Sequence, residues 1–270
     1  MKKLAALLLT LALSAAAFMT PFIALPVLAA KDYSTIRVRL SASYDDINLG
    51  VKGTYLLKET GAVVSSDINI SLSGSQLVAT CGNSVLYSGT EFTLVRQSGL
   101  LRQYSRQHGW RHYLGDMNYK AVSDGLGGYK LAVTNTVGME DYLIGVVAYE
   151  MSNTFPLEAL KAQAVAARSY AASKTSPSAS YDIVDTASDQ VYKGYDSTLT
   201  NVIAAVNATK GQVLANSSGA LVQAYYSASN GGQTESTANA WGSPLPYYQM
   251  KDDPYDLRNT MSPTAKLTLP

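Results

Sequence analysis

Gly138-Met139-Glu140-Asp141-Tyr142-Leu143-Ile144-Gly145-Val146-Val147-Ala148-Tyr149-Glu150 is the stretch where the texture of this sequence changes and the fold class is decided. Two carboxylates open it and a continuous apolar run follows, which suits a short helix with its positive end near Glu140 and Asp141. Upstream the pattern has period two instead. Ile36-Arg37-Val38-Arg39-Leu40, Ile68-Asn69-Ile70-Ser71-Leu72, Glu91-Phe92-Thr93-Leu94-Val95 and Tyr129-Lys130-Leu131-Ala132-Val133 alternate apolar with polar residues, as half-buried strands do. Asp124-Gly125-Leu126-Gly127-Gly128 is the strongest turn signal among them.

Downstream lies the clearest helix. Pro156 stands at an early helical position and Glu158 in the first turn, and Ala dominates from Leu157 to Ala171. Leu157, Leu160, Ala164, Ala167 and Ala171 form a narrow stripe of mostly small side chains, which predicts a closely packed, buried helix that Pro177 prevents from continuing. Residues 201–210 read as a further helix with Gly211 just past its end, followed by strands at Gln212-Val213-Leu214 and Leu221-Val222-Gln223-Ala224-Tyr225-Tyr226. The expectation is an α+β protein: a β-rich region over 31–134, then a mixed domain over 135–270 whose Ala-rich helix lies beneath a substrate cleft.

Composition narrows the function. Lys plus Arg number 21 against 20 Asp plus Glu, so no global positive field holds a polyanion and nucleic acid is not an expected partner. The single cysteine, Cys81, permits no intrachain disulfide and no multi-Cys zinc site. Tyr outnumbers Phe by 19 to 4, a bias that suits sugar-binding clefts and strand packing alike. Met1-Lys2-Lys3 followed by an apolar run to Ala30 is the pattern of an export signal, with Val27-Leu28-Ala29 at the cleavage position. The run is also long enough to act as an uncleaved membrane anchor, so residues 1–30 are expected to be a signal peptide or an anchor. Either way the chain is expected outside the cytoplasm.

Few residues carry chemistry. Glu150 follows the apolar run 144–148, whose desolvation would favour the protonated acid, and it precedes the polar loop 151–155; a catalytic acid and an ordinary paired carboxylate both fit. Lys161 and Arg168, seven residues apart, share one helical face, either as site cations or as a solvated surface. Gln163, Gln190 and Tyr192 are hydrogen-bonding groups for sugar hydroxyls or for backbone. Asp182, Asp185 and Asp189 match no calcium loop, and turn-forming roles fit them better. His108 and His112 flank Trp110 but stand apart from the Glu150 region, so they are not assigned to catalysis. No metal and no cofactor is expected.

The stretch from Asn135 to Met151, the helix from Phe155 to Ala171, Gln190-Val191-Tyr192-Lys193-Gly194 and Tyr226-Ser227-Ala228-Ser229-Asn230-Gly231-Gly232 together resemble the SpoIID/LytB family, with residues 110–262 covered. The resemblance implies an extracytoplasmic peptidoglycan enzyme, a lytic transglycosylase acting on peptide-stripped glycan strands, with Glu150 at the position of the catalytic glutamate. It places Lys161 and Arg168 at matching family positions. The alternative it leaves is a second role, that of a non-catalytic glycan binder that stimulates a cell-wall amidase. Two departures stand out. The His and Cys residues that hold zinc in the sporulation branch are missing from 181–190, so that segment has to be held another way. The family pattern also continues past Ser262-Pro263, where this sequence stops, which implies a shortened core.

Overall fold

The structure is a computed structural model that describes residues 32–42 and 46–258. The expected leader, 1–30, and the region around Ser262 and Pro263 lie outside the described residues.

Eleven strands form one sheet: β1 (Thr35–Leu40), β2 (Asp46–Leu57), β3 (Ala62–Val64), β4 (Ile68–Ser73), β5 (Gln76–Cys81), β6 (Ser84–Gly89), β7 (Glu91–Ser105), β8 (Gly109–Tyr113), β9 (Asp116–Ser123), β10 (Tyr129–Gly138) and β11 (Ile183–Val184). Along the main path the order is β11-β1-β10-β9-β7-β2-β4-β5-β6, while β3 pairs with β2 and β8 with β7. Every pairing is antiparallel except that of β1 with β11. All four alternating stretches read from the sequence are strands, and in β1 the apolar positions Ile36, Val38 and Leu40 are the buried ones. The turn at 124–128 closes on Asp124, whose Oδ1 accepts from the Leu126 and Gly128 amides at 2.7 and 2.9 Å.

Four α-helices occur among the described residues: α1 (Met139–Glu150), α2 (Leu157–Lys174), α3 (Thr200–Ala208) and α4 (Thr237–Trp241). With a large, mostly antiparallel sheet they make the chain α+β, as expected. Strand β10 runs into α1 with no intervening loop, and the Met139 amide bonds to the Ser34 carbonyl at 2.8 Å. The boundary expected between 134 and 135 therefore falls inside a strand. One apolar core continues from Ile36, Val38 and Val133 of the sheet to Leu143, Val146, Leu160, Ala164, Val202 and Val206 of the helices.

Helix α1 is buried nearly all round, from Met139 to Val147, which its continuous apolar run requires. The small-residue stripe of α2 behaves as expected at Leu160, Ala164, Ala167 and Ala171, all fully buried, and so lets α2 pack on both α1 and α3. Leu157 is the exception: it is 43 % exposed, because the first turn of α2 projects beyond its neighbours. Pro156 sits at the N-cap rather than inside the helix. Helix α3 ends at Ala208, two residues short of the expected limit. The expected strands at 212–214 and 221–226 are not strands of the sheet: they meet at the isolated Ala215–Leu221 bridge and through the Val222 amide on the Leu214 carbonyl at 2.9 Å.

The segment 181–190 is held through its three aspartates, each with its own partner. Asp182 takes a two-point contact from Arg37, Nη2 to Oδ1 at 2.6 Å and Nε to Oδ2 at 3.1 Å. Asp185 Oδ1 accepts from the Ser41 amide at 2.8 Å and hydroxyl at 2.5 Å. Asp189 accepts from the Tyr170 hydroxyl and the Val184 amide, both at 2.9 Å. This replaces the local turn-forming roles read from the sequence with contacts to β1, α2 and the segment's own strand.

Candidate functional site

Glu150 is the last residue of α1. The chain then leaves the helix at Met151 in an extended conformation, its amide still bonded to the Val147 carbonyl at 2.8 Å. The loop beyond is anchored: Asn153 Oδ1 accepts from the Asn201 and Val202 amides, both at 3.1 Å, and so caps the start of α3 from outside. Glu150 itself is exposed, so the expected desolvation by the 144–148 run is not seen. That run turns inward to the core, and the helix ends just where it emerges into solvent.

A hydrogen-bond chain from the core ends at the Tyr226 hydroxyl. Gln190, buried to 1 % exposure, receives a hydrogen bond from Tyr142 Oη on its Oε1 at 3.0 Å and donates from Nε2 to Tyr226 Oη at 2.9 Å and to the Ala167 carbonyl at 3.3 Å. Burial pushes the Tyr226 phenol well above the ordinary value, the Gln190 hydrogen bond opposes this, and the charge of Glu150 reinforces it. With a lone pair engaged by Gln190, the hydroxyl keeps its own proton to donate. Gln163 Nε2 is buried without a hydrogen-bond partner.

Tyr226 and Tyr149 each line a cavity. Tyr226 lines one of about 420 Å³, together with Tyr225, Trp241 and Tyr248. The Tyr225 and Trp241 rings lie 4.8 Å apart at 59°, and those of Tyr225 and Tyr248 5.9 Å apart. Trp241 is 62 % exposed, an aromatic face open to a ligand. Helix α4 carries it, capped by Ser236 Oγ at 3.2 Å from the Asn239 amide. Tyr149, next to Glu150 in the chain, lines the other cavity, of about 570 Å³.

The remaining candidates lie elsewhere. Arg168 is buried to 2 % exposure, pairs with Glu140 through Nη2–Oε2 at 2.5 Å and donates to the Gln212 carbonyl at 3.1 Å. It thus ties the first turn of α1 to α2 and to the chain beyond α3. Lys161 pairs with Glu158 at 2.7 Å on the surface of α2. Tyr192 is a core residue, its hydroxyl bonded to Asn135 Oδ1 at 3.0 Å and its ring 5.0 Å from that of Tyr142. The structure therefore joins Gln190 to Tyr226, sets Glu150 at the exposed end of α1, and leaves Arg168 and Tyr192 in packing roles. The sequence reading missed Tyr226 and Tyr149. Both stood in quoted stretches, but one tyrosine among 19 carries no local signal.

Residues 128–215, which hold Glu150, Gln163 and Gln190, match the family model described as SpoIID, stage II sporulation protein. The chain carries a SpoIID-family domain over this segment. Among curated relatives, it is 36 % identical over 212 residues to the amidase enhancer of Bacillus subtilis (strain 168), a match covering 78 % of this chain and 26 % of that protein. It is 35 % identical over 150 residues to stage II sporulation protein D of the same strain, covering 49 % of this chain and 42 % of that protein. Stage II sporulation protein D of Bacillus amyloliquefaciens is 34 % identical over 140 residues. The chain spans about a quarter to two-fifths of the length of these SpoIID-family relatives. Among the described residues no helix is long and apolar enough to cross a membrane.

Proposed function

We propose that this chain is a peptidoglycan lytic transglycosylase of the cell wall, acting outside the cytoplasm on peptide-stripped glycan strands with Glu150 as its acid and base. The observation that carries the reading is the placement of Glu150 at the solvent-facing end of a buried helix, next in the chain to Tyr149, which lines a cavity, and with its charge acting on Tyr226, which lines another. A domain of the SpoIID family, and relatives named for sporulation and amidase enhancement, support the cell wall as the place of action.

The chemistry needs one protein carboxyl group. Glu150, protonated, gives its proton to the oxygen linking muramic acid C1 to the next sugar as that bond breaks. Its carboxylate then takes the proton of the C6 hydroxyl of the same muramic acid while that oxygen bonds to C1. The products are a 1,6-anhydro end and a new non-reducing end, and no water is consumed. A hydrogen bond from Tyr226 to the carboxylate, formed as the glycan binds, would hold it in one orientation between the two steps.

The test is mass spectrometry of amidase-treated glycan strands incubated with the wild-type chain and with Glu150→Gln. Anhydro ends from the wild type alone support the reading, whereas reducing ends mean hydrolysis. The amidase-enhancer relative favours a second reading, a glycan binder that stimulates an amidase. Absence of cleavage by a folded wild-type chain, with stimulation of a wall amidase retained by Glu150→Gln, puts that reading first.

A further inference from the structure

The cavity on the Tyr149 side is built from parts the catalytic reading does not use. Strand β8 and the turn before it bring His108, Trp110, Arg111 and His112 to its wall. Residues 193–195 supply the opposite wall, clamped between β8 and α1: the Tyr195 amide bonds to the His112 carbonyl at 2.8 Å and the Lys193 amide to the Gly145 carbonyl at 3.2 Å. Gly194 makes the clamp possible, because at φ +80° a Cβ there would stand 2.1 Å from the His112 carbonyl oxygen.

Two cations of this cavity are held loosely. Lys193 Nζ sits 4.1 Å from the centre of the Tyr149 ring and has no carboxylate partner among the described residues. Arg111 has one, Asp185, at a loose 3.9 Å, and that carboxylate already accepts two hydrogen bonds from Ser41. Asp196, the acidic residue in the wall, is occupied by the Thr198 amide and hydroxyl at 2.8 and 2.7 Å. His108 registers both cations: burial pushes its imidazole down, and Arg111 and Lys193 push it further, against opposition from Asp185 and the Gln107 backbone. Tyr149, 44 % exposed, offers its ring to Lys193, and Trp110, 49 % exposed, carries Arg102 at 4.9 Å from its ring centre. Cations beside aromatic faces match a sugar ring that bears a carboxylate.

We propose that this cavity is a subsite for an anionic sugar of the bound strand, with Lys193 and Arg111 pairing the lactyl carboxylate of a muramic acid freed of its stem peptide. The proposal rests on the glycan reading above and deepens it: a carboxylate exposed only after peptide removal becomes the feature that selects stripped strands. An intact stem peptide turns that carboxylate into a neutral amide and removes the charge that Lys193 and Arg111 would meet.

Calorimetric titration of the full chain carrying Glu150→Gln, which prevents turnover, tests it with two peptide-free tetrasaccharides of the strand, one with free lactyl carboxylates and one with them capped as methylamides. The free acid is expected to bind about tenfold more tightly, a preference lost in Lys193→Met and kept in Lys193→Arg. Equal affinity for the two ligands, or a preference that survives Lys193→Met, overturns the subsite and leaves the glycan reading standing. Binding of neither overturns both. Circular dichroism of Lys193→Met confirms that the half-buried position is replaced without loss of fold.

Discussion

Arg168 Nη2 lies 2.5 Å from Glu140 Oε2, at the opposite end of α1 from Glu150, and the guanidinium is almost fully buried while the carboxylate keeps some solvent. Glu140 also accepts the Gly211 amide at 3.1 Å, so the pair joins α1, α2 and the turn after α3. Removing one partner strands the other charge in the interior. Arg168→Met and Glu140→Gln are each expected to lower unfolding free energy by about 3 kcal/mol, read as a drop in urea midpoint. At temperatures where the variants stay folded, KM for glycan should be unchanged; a raised KM would return Arg168 to the substrate site.

Tyr226→Phe removes the hydroxyl that Gln190 holds. Its Gln190 partner keeps the Ala167 carbonyl, so the expected stability cost is only about 1 kcal/mol by thermal denaturation. If Tyr226 orients the acid, kcat falls by about tenfold with KM little changed. An unaltered kcat would mean that Glu150 needs no orientation from the core.

Gly145→Ala is expected to cost about 3 kcal/mol, measured by urea denaturation. A Cβ at this position would stand 2.2 Å from the Gly194 carbonyl oxygen and 2.6 Å from the Tyr192 ring. Both neighbours are held, Tyr192 by Asn135 and Gly194 by its place against β8. Tyr192→Leu in the same background should recover part of the loss by removing one of the two clashes.

Acid sensitivity should trace to Asp182. Burial raises its carboxyl, but hydrogen bonds from the Arg37 side chain and from the Ser176 and Arg37 amides, with the Arg37 charge, outweigh burial and hold it below the ordinary value of 3.8. A carboxyl group lower in the folded than in the unfolded chain contributes stability above the unfolded value and loses it as pH falls through the folded one. Unfolding free energy measured between neutral pH and pH 2 should therefore decline more steeply below about pH 4 in the wild type than in Asp182→Asn. Identical acid limbs would remove Asp182 from the account.

The alternating runs and the Ala-rich stripe were readable because strands and helices leave their period in the chain, and β1, β4, β7, β10 and α2 follow it. What the period cannot supply is which buried face a polar side chain meets. Tyr192 and Gln190 stand two residues apart, yet one closes on Asn135 in the core and the other reaches Tyr226. Arg168 looked free to face a substrate because its partner, Glu140, is 28 residues away and meets it only when α1 and α2 pack. The same holds for His108 and His112, whose neighbours in space come from 149 and 193–196. The segments 212–214 and 221–226 carry strand-like residues, but they meet only each other, because tertiary context decides which such residues join a sheet.

The seamless join of β10 to α1 turns the helix into a lever. Its fulcrum is Gly138–Met139, stitched into the sheet, and its twelve residues reach roughly 18 Å, so a tilt of about 10° at the base would swing the tip by roughly 3 Å. Glu150 rides on that tip. Substitutions along the β1–β10 pairing, far from any sugar, would then act as adjusting screws on the aim of the carboxyl group, and a selection for altered cleavage should collect mutations there as readily as in the cavities.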